Sequence, residues 1–338
     1  MNQPLTSRQP PGNRGHGLPI TAICGAIAII AMVGLVVAAG WPAGAPRPAD
    51  RAGAYAIGAG LAFGPGFTGA PSDPAKPAGF SAAPVDPVRL SGAAQFPSSR
   101  QVYALADHPL FAQHVGLTKV DCTLPGWGAD ATAARAFYLA AIDCLDAAWE
   151  PTLRGAGLPF RSPRVAVPAQ PGTLSSPCAR EEGDIAESFY CTLDETIILP
   201  LDGLRSVTNG SRRGAQLAVL AHEYGHHIQS LIGVMRAYQD KRLGAGWDTG
   251  PGQEQSRRLD LQASCFAGMF FGSNYGRLDL DQQSWDEAVR VTRVAGDRPG
   301  YARLHGTDFN VWGWWKWGAD LGDTAECNTW YSAAPYVA

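Results

Sequence analysis

The chain has 338 residues, enough for two average domains, with 27 Lys and Arg against 30 Asp and Glu and a formal net charge of −3. Its basic residues form no long block, which argues against an extended nucleic-acid surface. A Gly-rich phosphate loop with its lysine and a nucleophilic serine elbow are both missing, so nucleotide-cradling and serine-hydrolase chemistry find no support.

Residues 1–17 form a tail that carries Arg8 and Arg14 and no acidic residue. Residues 18–41 read as a transmembrane anchor. Ile20 to Trp41 contains no charge and is long enough to cross a hydrocarbon core of about 30 Å at about 1.5 Å per residue. The basic tail predicts a single-pass membrane protein, with a cytoplasmic N-terminus and everything after the anchor exported. A cleaved signal peptide is the competing reading, because Ala43-Gly44-Ala45 resembles a small-residue cleavage site. The apolar run is longer than a signal core, however, and Pro46 would follow the cut. Cys24 lies near the start of the run behind Ile23 and reads as a small apolar residue rather than a lipidation site. Residues 42–100 are rich in Pro, Ala, Gly and Ser and cannot bury enough apolar surface to offset chain entropy. They read as a flexible linker, either a spacer above the membrane or slack sequence.

Residues 101–338 form the folded domain, long enough for one sizeable core. It holds Cys122, Cys144, Cys178, Cys191, Cys265 and Cys327, an even number that suits disulfides in an oxidising space. Pairing each with its nearest partner along the chain predicts Cys122–Cys144, Cys178–Cys191 and Cys265–Cys327. A zinc-cysteine cluster is the weaker alternative, since no Cys-x-x-Cys occurs. Thr132 to Leu153 carries an apolar stripe at Phe137, Ala140, Ala141, Cys144 and Leu145 and predicts a helix. Arg164 to Pro168 and Ser188 to Leu201 suit short strands. Asn209-Gly210-Ser211 supplies a turn and an N-cap for the next helix; it also matches a glycosylation acceptor, although Asn-Gly is equally a turn.

That next helix is the informative one. Leu217, Leu220 and Ala221 keep helical spacing into His222-Glu223-Tyr224-Gly225-His226. Residues four apart share a helix face, so His222 and His226 can offer ring nitrogens to one ion with Glu223 beside it. Zinc lowers the pKa of water that it holds from about 15.7 towards about 7, and a neighbouring carboxylate can take the proton. The bland reading is a pair of core histidines. His227 points about 100° away from His226 and reads as a packed or surface residue. Gly225 removes a side chain where the helix could pack closely against a neighbour.

A polar, Gly-rich link is predicted over Leu243 to Gln255, followed by helices at Ser256 to Phe271, Gln282 to Ala295 and Phe309 to Leu321. The order helix, strands, paired helices is an α+β pattern with a small sheet backing the motif helix. A catalytic zinc usually takes three protein ligands. Asp260, the acidic residue on the face of the Ser256 to Phe271 helix, is the candidate for the third, with Glu254 in the link as its rival.

These stretches together resemble a known family. AHEYGHHIQ, RRLDLQASCFAG, AGD at Ala295 to Asp297, HGT at His305 to Thr307 and CNTW at Cys327 to Trp330 are similar to the bacterial neutral zinc metallopeptidases. Phe189 to Cys191 before ILPL agrees too, so the likeness runs from about Asp184 to Trp330. It implies a zincin-like fold, one zinc ion and peptide-bond hydrolysis, and is consistent with an anchored, exported domain. The family's second helix typically reads ELQAD, with Glu as third ligand and the later Asp in support; here those positions are Asp260 and Ser264. Aspartate is one methylene shorter, so its helix must come closer to the ion, and serine keeps a hydrogen bond but no charge.

His305 and Tyr301 are candidate donors to a developing oxyanion, with structural roles as the alternative. Trp312, Trp314, Trp315 and Trp317 could line a groove, but aromatic residues at helical spacing more often form a core. Two functions follow. One is a membrane-anchored zinc peptidase in which His222, His226 and Asp260 hold Zn²⁺ and Glu223 is the base for a peptide or protein substrate. The other is a metal-stabilised binding or scaffold module of the cell envelope.

Overall fold

The computed structural model describes residues 99–338 apart from 113, 122, 129, 170–175, 179–187, 202–211 and 278–279. The expected anchor, the linker, Cys122 and the Asn209-Gly210-Ser211 turn therefore lie outside the described residues. Among the described residues no helix is long and apolar enough to cross a membrane.

A short helix α1 (Pro109–Ala112) precedes α2 (Ala131–Gly155). The Asp130 carboxylate starts α2 by accepting hydrogen bonds from the Thr132 and Ala133 N–H groups. Phe137, Ala141, Cys144 and Leu145 of the predicted stripe are buried, and burial on that face runs from Ala134 to Leu153. Strands β1 (Arg164–Ala166), β2 (Phe189–Cys191) and β3 (Thr196–Ile198) form one small sheet in the order β1-β3-β2. β1 runs parallel to β3, with Arg164 opposite Thr196, and β2 runs antiparallel to it, with Phe189 opposite Ile198. The stretch Ser188 to Leu201 is thus a hairpin, turned at Glu195 with φ 55°.

α3 (Arg213–Ile232) carries the histidine motif and α4 (Val234–Ala245) continues from it after a break at Gly233. Gly233 has φ 99°, the left-handed conformation that glycine adopts without strain, and a Cβ there would meet Val102 O at 2.7 Å. The chain entering the domain crosses this break, where Val102 N–H donates to Ile232 O at 2.8 Å. At the other end of α3 the N-cap is Arg212, without a side-chain hydrogen bond. Capping comes from elsewhere in the fold: the Gly214 N–H donates to Glu287 Oε2 at 2.9 Å. A carboxylate there also complements the positive end of the helix dipole.

The predicted link at Leu243 to Gln255 is corrected. Its first residues belong to α4, and α5 (Gly250–Ser273) begins well before Ser256. Thr249 caps α5 through its hydroxyl to the Gly252 N–H, and Pro251 sits in the first turn, where its missing N–H costs nothing. The Gly-Pro pair marked a helix start rather than a loop. α6 (Gln282–Thr292) and α7 (Asp308–Leu321) are capped by Asp281 and Thr307, so α6 ends short of the predicted Ala295. Short 3₁₀ turns at Thr324–Cys327, Thr329–Tyr331 and Ala334–Val337 complete the described chain.

The core lies behind α5. Trp312, Trp314, Trp315 and Trp317 are all buried, with Trp315 packed against Trp285 and Phe271 at ring separations of 5.0 and 5.4 Å. The core reading of these tryptophans holds. α5 and α7 touch backbone to backbone, since a Cβ on Gly268 would lie 1.9 Å from Trp315 O. Disulfides join Cys178 to Cys191 and Cys265 to Cys327, as the nearest-partner rule predicted. Cys144 is disulfide-bonded as well.

His108 clips the N-terminal segment to α3. Its Nε2 contacts Ile232 O at 3.2 Å, and Nδ1 accepts the Leu110 N–H at 3.2 Å. Since the carbonyl can only accept, Nε2 carries the proton and Nδ1 is the acceptor, so a second proton would break the Leu110 contact. Burial, partly offset by the Ile232 hydrogen bond, lowers the His108 pKa. The unfolded chain, with histidine near 6.5, therefore binds this proton first, and stability falls as pH drops through about 6.5. Thermal unfolding measured from pH 8 to 5 should show that decline, and His108→Gln should make it shallower by at most about 1.4 kcal/mol per pH unit.

Candidate metal centre

α3 and α5 meet where Gly225 faces Ala263. A Cβ on Gly225 would lie 2.9 Å from both Ala263 Cα and Ala263 O, so the helix backbones are in contact at this point. The close approach anticipated for Gly225 is present, and it carries the α5 side chains into the face of α3 that holds the two histidines. Asp260 Oδ1 lies 3.3 Å from His222 Nε2 and 3.6 Å from His226 Nε2. One ligand atom from each of the three residues falls within 4.8 Å of the others. Donors held tetrahedrally at about 2.1 Å from one ion stand about 3.4 Å apart, and the two measured separations bracket that value. The imidazoles cross nearly at right angles, 88° between ring planes, which lets both aim a nitrogen at one point.

The electrostatics favour a cation there. Burial alone would raise the Asp260 pKa, but the charge of His222, hydrogen bonds with both histidines and the charge of His305 hold the carboxyl well below the usual carboxylate range. Burial likewise pulls His226 down, yet Asp260, Glu223 and Gln229 outweigh it and its pKa ends raised. Each group demands positive charge between the nitrogens and the oxygen, from a proton or from a metal ion. Two imidazoles and a carboxylate form a nitrogen and oxygen donor set that suits zinc.

The family model described as "Putative neutral zinc metallopeptidase" matches residues 128–330. The chain belongs to this family. An uncharacterized protein of Escherichia coli K12, YpfJ, is 32% identical over 157 residues, which cover 42% of this chain and 53% of that protein. The uncharacterized Rv2575 of Mycobacterium tuberculosis H37Rv is 30% identical over 216 residues, covering 56% of this chain and 68% of its own. The chain thus spans about half the length of the E. coli relative. No solved structure matches it.

In this family member, Glu223 is buried on α3 next to His222, close enough to raise the His226 pKa through its charge. Ser264, one turn beyond Asp260, has its Oγ 3.2 Å from His222 Nδ1. The serine therefore reaches the ligand that a supporting aspartate would reach, with a neutral hydroxyl in place of a charge. Glu254 is excluded as the rival ligand: it lies in α5 about 9 Å of helical rise before Asp260 and pairs with Arg258 at 2.7 Å. His227 faces the sheet, its Nε2 2.8 Å from Arg161 O and its Nδ1 3.1 Å from the Tyr190 hydroxyl. Burial there takes its pKa down to about 4, as expected for a neutral packing residue.

His305 and Tyr301 part company. Asp297 accepts the N–H groups of Leu304, His305 and Gly306 and lies 3.2 Å from His305 Nδ1, so it fixes both the loop and the ring. The charge of His305 also helps hold the Asp260 carboxyl low. Tyr301 is 77% exposed and, among the described residues, has no hydrogen bond to the cluster.

Sequence reasoning missed Gln229 and Gln262, both fully buried. His226 Nδ1 is 2.9 Å from Gln229 Oε1, and Gln229 Nε2 donates to Leu259 O and Gln262 Oε1. The available signal was spacing: Gln229 lies three residues after His226 and seven after His222, on the motif face.

The full chain in detergent should bind one equivalent of zinc and unfold at a lower temperature after chelation. In a chelator-competition titration, Asp260→Ala should weaken zinc by more than the roughly 10- to 100-fold that losing an outer partner costs. Unchanged affinity would remove Asp260 from the ligand set.

Proposed function

We propose that this chain is a membrane-anchored zinc peptidase that hydrolyses peptide bonds outside the cytoplasm. The observation that carries the reading is the convergence of His222 Nε2, His226 Nε2 and Asp260 Oδ1 on one point, with Glu223 buried next to His222 on the same helix. Pure metal storage has no need of that fourth group. Bound there, zinc would supply Lewis acidity, polarising the scissile carbonyl and acidifying water at neutral pH.

The chain's own residues do the proton work. Glu223 accepts the proton of the attacking water and passes it to the leaving amine. Its burial keeps the carboxylate away from bulk solvent, so the proton it takes stays with the reaction. As an imidazolium, with its Nδ1–H donated to Asp297, His305 also donates from Nε2 to the oxygen on which negative charge develops. Asp297 is the positioning residue of that pair, because three backbone N–H groups and the imidazole converge on its one carboxylate. The uncharged run Ile20 to Trp41 and the disulfides of the folded domain support an anchored, exported enzyme, since disulfides persist in oxidising compartments.

Glu223→Gln should keep zinc and lose peptide cleavage by roughly 10²- to 10⁴-fold, read as kcat/KM on a broad peptide library. Undiminished cleavage would remove Glu223 as the base, whereas zinc binding without any Glu223-dependent cleavage would mark a binding or scaffold module. His305→Ala should retain zinc and lower kcat by roughly 10²- to 10³-fold with KM little changed; a rise in KM alone would make it a substrate-contact residue instead.

A further inference from the structure

We infer that Gln229 and Gln262 form a directional hydrogen-bond relay that locks His226 in its Nδ1–H tautomer and ties this ligand to the backbone of the Cys265–Cys327 disulfide. The inference rests on the reading of His222, His226 and Asp260 as a zinc site.

The direction follows from the ends of the relay. Gln262 Nε2 lies 3.0 Å from Cys327 O, a carbonyl that can only accept, so this end of the amide is its donor. Gln262 Oε1 is then an acceptor and faces Gln229 Nε2 at 3.0 Å. The second hydrogen on Gln229 Nε2 goes to Leu259 O at 2.8 Å, another group that only accepts. Both donors of Gln229 are therefore committed and its Oε1 must accept, which leaves the His226 Nδ1, 2.9 Å away, as the donor. Nδ1 carries the proton, and the Nε2 lone pair is the one presented to the metal point beside Asp260. Both glutamines are fully buried, so water offers no substitute partner and flipping either amide would place like groups against each other.

His222 has no such constraint. Its Nδ1 faces the Ser264 hydroxyl, which can donate or accept. The two imidazoles are thus held differently: His226 by a relay that admits one tautomer, His222 by a group that tolerates either. Because Gln262 lies on α5 between Asp260 and Ser264, the relay also fixes the spacing between the two helices at the ligand layer.

The test uses full-length chain in detergent, titrated with zinc against a competing chelator and, separately, loaded with Co²⁺ for its visible absorption band. Gln229→Met should bind zinc about 10- to 100-fold more weakly and shift the cobalt band. Gln229→Glu keeps an acceptor for His226 Nδ1 but sets a buried carboxylate oxygen against Leu259 O and Gln262 Oε1, both acceptors, so it should also bind zinc more weakly. Gln262→Met touches no ligand and should lose affinity in the same direction as Gln229→Met, by less. Unchanged affinity and an unchanged cobalt band in Gln229→Met and Gln262→Met would overturn the relay, as would unimpaired zinc binding in Gln229→Glu. If Gln229→Met does not fold, Gln262→Met decides the matter by the same outcomes. Failure of the unsubstituted chain to bind zinc would sink the metal site itself, a result distinct from any of these.

Discussion

The backbone contact between α3 and α5 at Gly225 and Ala263 is the constraint on which the site depends. Two histidines four residues apart arise from helix geometry alone, but a third ligand from another element requires that element to come within a carboxylate's reach. Aspartate reaches less far than glutamate by one methylene. With no side chain at Gly225, α5 lies directly on α3, and the Asp260 carboxylate meets both imidazoles at separations suited to one small cation. The short ligand and the close crossing are two halves of one arrangement.

That crossing is held from several sides. Gln229 of α3 reaches the Leu259 carbonyl next to Asp260. Beyond α5, Gly268 seats on the Trp315 carbonyl of α7, and the Cys265–Cys327 disulfide ties α5 to the terminal turns. Arg257 donates to Val337 O and Arg303 O, and Thr329 Oγ1 donates to Arg258 O at 2.6 Å. α5 is consequently bound along most of its length, and its ligand stands on a rigid element rather than a loop. Precision of this kind matters because a metal site tolerates displacement of only a fraction of an ångström.

The buried charges explain one another. A carboxylate and two imidazoles gathered out of water cost free energy unless positive charge sits among them. The depressed Asp260 and raised His226 are two expressions of that requirement. Away from the cluster the logic reverses: His227, buried with a carbonyl and a phenol as partners, is held neutral. Neighbouring histidines on one helix thereby take opposite roles, decided by which face each occupies.

Whatever depends on local periodicity could be read from the chain alone. His222 and His226 share a face because residues four apart on a helix must, Gly225 marked a close crossing because it lacks a Cβ, and the spaced tryptophans formed a core because large apolar surface is driven from water. The nearest-partner rule also gave Cys178–Cys191 and Cys265–Cys327. Gly and Pro at residues 250–252 misled, because the residues that punctuate a loop also suit the first turn of a helix. The three-dimensional packing was needed to establish which acid joins the histidines, that Glu287 from α6 satisfies the start of α3, and that Gln229 and Gln262 connect a ligand to the Cys327 carbonyl. Each of these pairs residues far apart in the chain, and no pattern of nearby residues encodes a distance across a helix crossing. Local order fixes which side chains share a face, and packing fixes what that face meets.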